Sequence, residues 1–209
     1  EKKAYNTYYR LDQHFIQSPN SFISKLYSKG VEFLENDYHH SVFSLFENFK
    51  AYGKSYLKKL PFSDLYVFHR IANLLPNGMH LQIANSSSIR YVQLMDWPET
   101  TTFFCNRGTS GIDGSTATAV GAAQLSNKPT ILITGDLSFF YDINGLWNDY
   151  IPRNFKIILI NNQGGGIFRI LPGEKDSPSY DRYFETIHNR KAKYVAKTFG
   201  FKYQKVSSQ

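Results

Sequence analysis

The hydrophobic positions of this chain are most informative between Lys128 and Leu171. Ile131-Leu132-Ile133 is a continuous apolar run of strand type that stops at Gly135-Asp136. Behind Asp142, an N-cap residue, Ile143, Leu146, Trp147 and Tyr150 recur at i, i+3, i+4 and i+7. That spacing predicts a helix with one buried face, left at Pro152. Ile157-Ile158-Leu159-Ile160 is a second apolar strand, ending at Asn161-Asn162. Strand, helix and strand at this length predict a parallel βαβ unit. Ligands of open α/β sheets bind beyond the carboxyl ends of the strands, and there the chain carries Gly-Asp and Asn-Asn-Gln-Gly-Gly-Gly.

The same reading extends the sheet on both sides. Ser63 is placed to cap a helix with a buried stripe of Leu65, Phe68, Ile71, Leu74 and Leu75, broken at Pro76-Asn77-Gly78. Met79–Ala84 and Thr101–Cys105 are expected strands, and Ser115–Leu125 is an expected helix whose small side chains allow close packing on the sheet. Lys191–Phe199 predicts a helix stopped by Gly200, with Phe201–Val206 as the start of a last strand. Ser177–His188 has no clear period and is expected to be mobile. Together these predict a doubly wound, mainly parallel α/β sheet with helices on both faces over residues 61–209, lacking its C-terminal end. Residues 1–60 read as a helical connector from a missing middle domain, with helices expected over Ser21–Tyr27 and Tyr38–Leu60. The chain starts without Met and ends in a polar tract, so it reads as a piece of something larger.

Composition changes this picture little. The net charge of +7 comes from scattered basic residues that alternate with apolar ones at helical spacing, the pattern of solvated helix faces rather than a nucleic-acid footprint. The adjacent His39 and His40 point to different faces of a helix, with no spaced partner for a metal. No apolar run spans a membrane, and the single Cys105 fits a reducing, cytoplasmic compartment, in a buried strand position. Aromatics reach 16%, with Phe139, Phe140, Tyr141 and Trp147 beside the strand ends, which suggests an interface there.

The residue types at the strand ends have a specific chemistry. Asp136 offers a hard carboxylate, Asn162 a carboxamide oxygen, and the glycines after it let a bare carbonyl approach. With two phosphate oxygens and a water, these complete the octahedral oxygen shell of Mg²⁺. The plainer alternative is a turn Asp and a turn Asn pair that only end two strands. Their placement at the ends of adjacent parallel strands, about twenty-five residues apart, favours the site. Arg90, after Asn85-Ser86-Ser87-Ser88, can grip an anion by two parallel bonds, or be a surface residue beside a capped turn. Asp113 is placed to act as a charge partner at the N-terminus of the helix that follows it.

Gly-Asp, a spacer of this length and Asn-Asn resemble the diphosphate-binding signature of thiamine diphosphate enzymes. Leu137 stands where many members have a second Gly. The wording GDLSFFYDINGL and NNQGGGIFRILPG, and above all NRGTSGIDG from Asn106 to Gly114, is similar to the 2-succinyl-5-enolpyruvyl-6-hydroxy-3-cyclohexene-1-carboxylate synthases of menaquinone biosynthesis. That resemblance implies a thiamine diphosphate-binding fold, with Mg²⁺ or Mn²⁺ on Asp136, Asn162 and the Gly164 carbonyl. It implies cofactor contacts from Ser110, Gly111, Ile112, Gly135, Asp136, Leu137, Ser138, Asn162, Gly164, Gly165, Gly166 and Ile167. Ser110 would offer its carbonyl to the aminopyrimidine, and Ile112 would be the wedge that bends the cofactor, unless it is an ordinary core residue. Ser86, Arg90 and Arg107 would hold substrate carboxylates, and Phe168 and Leu171 would line the mouth. The implied reaction decarboxylates 2-oxoglutarate and adds the succinyl unit to isochorismate, in a homodimer or homotetramer. The activating Glu of these enzymes comes from a first domain, so this chain by itself is expected to be inactive. Two alternatives stand beside this: another thiamine diphosphate enzyme of acetolactate synthase or 2-oxoacid decarboxylase type, and a non-catalytic nucleotide-binding module. The latter lacks a Gly-x-Gly-x-x-Gly after the first strand.

Overall fold

A computed structural model describes residues 4–30, 36–173 and 175–208; Glu1 and Gln209 fall outside them. The chain divides into two compact units, Glu1–Gly53 and Lys54–Gln209.

The first unit holds α1 (Pro19–Ser28) and most of α2 (Asp37–Leu57). Ser18 caps α1 by accepting the Ser21 N–H at 3.2 Å, and Pro19 suits the first turn, where no N–H partner exists. In α2 the apolar positions Val42, Phe43, Leu45, Phe46, Phe49 and Tyr52 are all exposed. His39 lies over Phe43 at 6.2 Å on the helix surface.

The second unit is a four-stranded, wholly parallel sheet in the order β2-β1-β3-β4. Its strands are β1 (His80–Ile83), β2 (Thr102–Cys105), β3 (Thr130–Gly135) and β4 (Phe155–Ile160). Helices α3 (Asp64–Leu74) and α4 (Ser87–Val92) cover one face, while α5 (Ser115–Leu125), α6 (Asp136–Tyr141) and α7 (Ala192–Thr198) cover the other. Side chains alternate across the pleat. Leu81, Ile83, Ile131 and Ile133 pack with Phe68 and Val92, whereas Leu132 packs with Ala119, Ala123 and Phe139. Each such buried aliphatic chain contributes about 1.5–3 kcal/mol. The small residues of α5 do what their size allows: Ala119 and Ala123 are fully enclosed against the sheet.

Because β1 is followed by β2 on one side and β3 pairs with it on the other, the order reverses between β1 and β3. That reversal opens a crevice at their carboxyl ends. All four parallel strands deliver their ends to the same edge.

Five expectations need correction. The helix over Ile143–Tyr150 is only a 3₁₀ turn, Ile143–Leu146; Leu146 is buried, but Trp147 and Tyr150 are 82% and 69% exposed. The helical stretch starts earlier, at Asp136 directly after β3, and Asp142 leaves it to serve another helix: its Oδ2 accepts the N–H groups of Thr116 (2.6 Å) and Ala117 (2.9 Å) at the start of α5. The charge partner of α5 is thus Asp142 and not Asp113, which is exposed. Leu74 faces outward, and Cys105 on the edge strand is only half-buried. Residues 201–206 carry no strand pairing; instead Phe201 N–H reaches Ala196 O (2.8 Å) and Gly200 N–H reaches Lys197 O (3.3 Å), the paired bonds of a left-handed helix end at Gly200 (φ +73°).

Candidate active site

The crevice is lined from β1 by Asn85, Ser86, Ser87 and Ser88, and from β3 by Gly135, Asp136, Leu137 and Ser138. Asn162, Gly164, Gly165, Gly166, Ile167 and Phe168 line it beyond β4, Ile112 beyond β2, and Asp64 and Phe68 from α3.

Asp136 is the most constrained group in it, at 2% exposure. Its Oδ1 accepts the Leu137 N–H (2.8 Å), and its Oδ2 accepts those of Gln163 (2.7 Å) and Gly164 (3.1 Å). The carboxylate therefore ties the end of β3 to the glycine loop after β4. Burial nevertheless pushes its carboxyl above the usual carboxylate range, against the lowering pull of those N–H groups and of His188. His188 Nε2 lies 3.3 Å from Asp136 Oδ2, close enough for attraction but not aligned as a hydrogen bond. The Arg190 N–H donates to His188 Nδ1 (3.1 Å), so the neutral ring carries its proton on Nε2, facing Asp136.

Asn162 donates from Nδ2 to Asp64 Oδ2 at 2.7 Å, while its Oδ1 is buried without a hydrogen-bond partner. A buried carboxamide oxygen in that state is unusual, and it suits a cation or a hydrogen-bond donor as partner. The glycines beside it are required by space: a Cβ on Gly166 would lie 2.7 Å from Asn162 Nδ2, and one on Gly164 (φ +154°) 2.8 Å from Glu185 O. The Gly164 carbonyl accepts the Gly166 N–H at 2.9 Å and keeps a second lone pair. Among the described residues no three His, Cys, Asp or Glu side chains could hold a metal together. A cation here would need the mixed carboxylate, carboxamide and carbonyl set, completed by the ligand's own oxygens.

Residues 177–188, expected to be mobile, pack over this loop through a single π-helical turn, Tyr180–Phe184. Gly165 N–H reaches Glu185 O (2.6 Å), and His188 N–H reaches Gln163 O (3.2 Å). Arg169 joins the Glu185 carboxylate (2.5 Å) to the Asn162 carbonyl (3.2 Å).

On the β1–β2 side, Asn85 is the hinge of the rim. It is 2% exposed and donates from Nδ2 to the carbonyls of Asn106 and Gly111, both at 2.5 Å. Its Oδ1 faces Arg107 Nη1 (3.2 Å) and Cys105 Sγ (3.4 Å). Burial raises the Cys105 thiol above its ordinary range, which lowers its reactivity. Arg90 is exposed and bonded to the Ser86 carbonyl (2.9 Å), and Arg107, Ser110, Gly111 and Leu171 are exposed too; none of these five lines the crevice. Ser138 Oγ donates to the Ile112 carbonyl at 2.5 Å, which draws Ile112 to the crevice wall. Ser86, Ser110 and Gln163 all have positive φ (67°, 64° and 68°), strain gathered at three strand ends.

The parallel sheet thus gathers a carboxylate, a carboxamide oxygen and a glycine-rich backbone at its switch point. The family is shown by sequence: a model described as "Thiamine pyrophosphate enzyme, C-terminal TPP binding domain" matches residues 85–209, and the chain belongs to this family. Curated relatives named 2-succinyl-5-enolpyruvyl-6-hydroxy-3-cyclohexene-1-carboxylate synthase include that of Flavobacterium johnsoniae, 51% identical over 97% of this chain and 36% of its own length. That of Flavobacterium psychrophilum is 51% identical over 98% and 37%, and that of Christiangramia forsetii 53% identical over 75% and 27%. The chain thus spans little more than a third of these relatives.

Proposed function

We propose that this chain is the cofactor-binding part of a thiamine diphosphate-dependent synthase that decarboxylates 2-oxoglutarate and joins the succinyl unit to isochorismate in menaquinone biosynthesis. The observation that carries the reading is the pairing of buried Asp136 with the unpartnered Oδ1 of Asn162 at adjacent strand ends. Asp136, Asn162 and the Gly164 carbonyl would hold Mg²⁺ or Mn²⁺, and the 164–167 backbone the diphosphate. When bound, thiamine diphosphate supplies the electron sink for decarboxylation and carbon–carbon bond formation.

The chain's own groups bind and orient. Ile112, held by Ser138, would press on the cofactor, and the Ser110 carbonyl would turn in from its exposed position to meet the aminopyrimidine. Ser86, already on the crevice wall, takes substrate carboxylates together with Arg90 and Arg107 once the two arginines turn inward from their present carbonyl and carboxamide partners. Phe168 and Leu171 keep the mouth apolar. Residues 1–60 connect to a preceding domain, and the whole protein is a cytoplasmic homodimer or homotetramer whose activating acid comes from outside this chain. Among the described residues no helix is long and apolar enough to cross a membrane.

Calorimetry with thiamine diphosphate plus Mg²⁺, against NAD or ATP, tests the cofactor; heat only with the nucleotides would overturn the reading. A panel of 2-oxo acids and acceptors on the whole protein separates this synthase from acetolactate synthase or decarboxylase types. The 209-residue chain alone should show no turnover.

A further inference from the structure

We infer that Asp64 is a positioning residue of the cation site: its carboxylate decides which end of the Asn162 carboxamide faces the metal. The inference rests on the reading of Asp136 and Asn162 as cation ligands. A carboxamide is nearly symmetric in shape, but only its oxygen suits a hard cation. Asn162 lies beyond the last residue of β4, so the strand ladder does not choose the orientation. Asp64 does. A carboxylate only accepts, so at 2.7 Å it requires the amide nitrogen of Asn162, and Oδ1 is left as the free end, buried and unpartnered.

Two further observations separate this from a merely structural role. Helix α3 already has its cap, because Ser63 Oγ accepts the Tyr66 N–H at 3.3 Å; Asp64 is not spent on that bond. Asp64 also lies ahead of residues 85–209, the part that matches the family model, yet it reaches across 98 positions to line the crevice. Gly166 leaves the room in which this bond is made, since a Cβ there would lie 2.7 Å from Asn162 Nδ2. The ligand is thereby fixed in place before a cation arrives, as outer-shell partners fix metal ligands elsewhere.

The test is Mg²⁺ affinity of the whole protein with thiamine diphosphate present, read by calorimetry. Asp64→Ala should weaken it about 10–100-fold. Asn162→Asp sets two carboxylates face to face and should weaken it too. The paired exchange, Asp64→Asn with Asn162→Asp, rebuilds the bond with its direction reversed and should bind about tenfold better than either single variant. Melting without metal checks folding; if Asp64→Ala melts early, the paired exchange, which keeps a bond, decides. Wild-type affinity in Asp64→Ala, or a paired exchange no better than the weaker single variant, would overturn the role of Asp64 alone. A wild-type protein that binds neither Mg²⁺ nor Mn²⁺ would sink the cation site and this inference with it.

Discussion

The two halves of the crevice are built on different terms. At the β3–β4 ends, Asp136 takes three backbone N–H groups, Asn162 is held by Asp64, and the loop is covered by Glu185 and His188. At the β1–β2 ends one buried residue, Asn85, holds a loop whose Arg107, Ser110 and Gly111 are exposed. The half that would meet the invariant cofactor is shaped in advance. The half that would meet substrates is held by side chains, Asn85 first with Asn106 and Ser138 beside it, and both arginines are bonded to the chain itself. Rigid positioning suits an ion with strict octahedral demands, while carboxylate capture tolerates a rim that adjusts.

The sharpest way to break this comparison is to remove the centre of the rigid half. Asp136→Ala deletes a proposed cation ligand and leaves the N–H groups of Leu137, Gln163 and Gly164 without their acceptor. Mg²⁺ affinity in the presence of thiamine diphosphate should fall by more than the ~10–100-fold typical of an outer-shell loss. Arg107→Ala, in the other half, should leave that affinity unchanged. Equal losses in both would show that the halves are not distinct.

The next effect concerns the loosely held rim. Asn85→Ala removes both donors to the Asn106 and Gly111 carbonyls from a site that is 2% exposed. Urea unfolding of the 209-residue chain should show a loss of about 2 kcal/mol, with faster amide exchange between residues 106 and 111. Cation affinity should be kept. A stability unchanged by this substitution would mean that the loop has other supports.

Which parts were legible follows from the same contrast. The strands and their ends could be read because continuous apolar runs such as Ile157–Ile160 stop abruptly at polar residues. Asp136, Asn162 and the glycines stand at those stops. The residues that hold them could not be read. Asp64, Glu185 and His188 are single polar residues far along the chain, with no period to mark them. The loop from 177 to 188 showed no pattern because main-chain bonds to Gln163 and Gly165, rather than an apolar stripe, hold it down. Asp142 was recognised correctly as a capping residue but given to the wrong helix, since a side chain can cap an element it does not begin. The 3.6-residue spacing that ends at Trp147 and Tyr150 was matched by residues that turn outward after one short turn.

The smallest expected effect lies away from both halves, at the amino end of β1. Burial first, and then Lys128, lowers the pKa of His80 from its ordinary 6.5. Its ring also lies 4.7 Å from that of Phe104, with Nε2 2.9 Å from Gln82 Nε2. The folded chain therefore resists a proton that the unfolded chain accepts. Stability is unaffected above pH 6.5, falls as pH drops below it, and stops falling once the folded state is also protonated. Asp136 slopes the other way, because its raised carboxyl keeps a proton that the unfolded chain releases; stability from that group is present at low pH and lost as pH rises through the folded value. Only a difference isolates His80: unfolding midpoints at pH 7.5 and 5.5 for wild type should separate further than those of His80→Asn. Since His80 lies at the opposite strand end from the proposed cation ligands, added Mg²⁺ and thiamine diphosphate should erase the Asp136 slope and leave the His80 slope as it was. A ligand that flattened both would mean that the rigid half extends along β1 to its start.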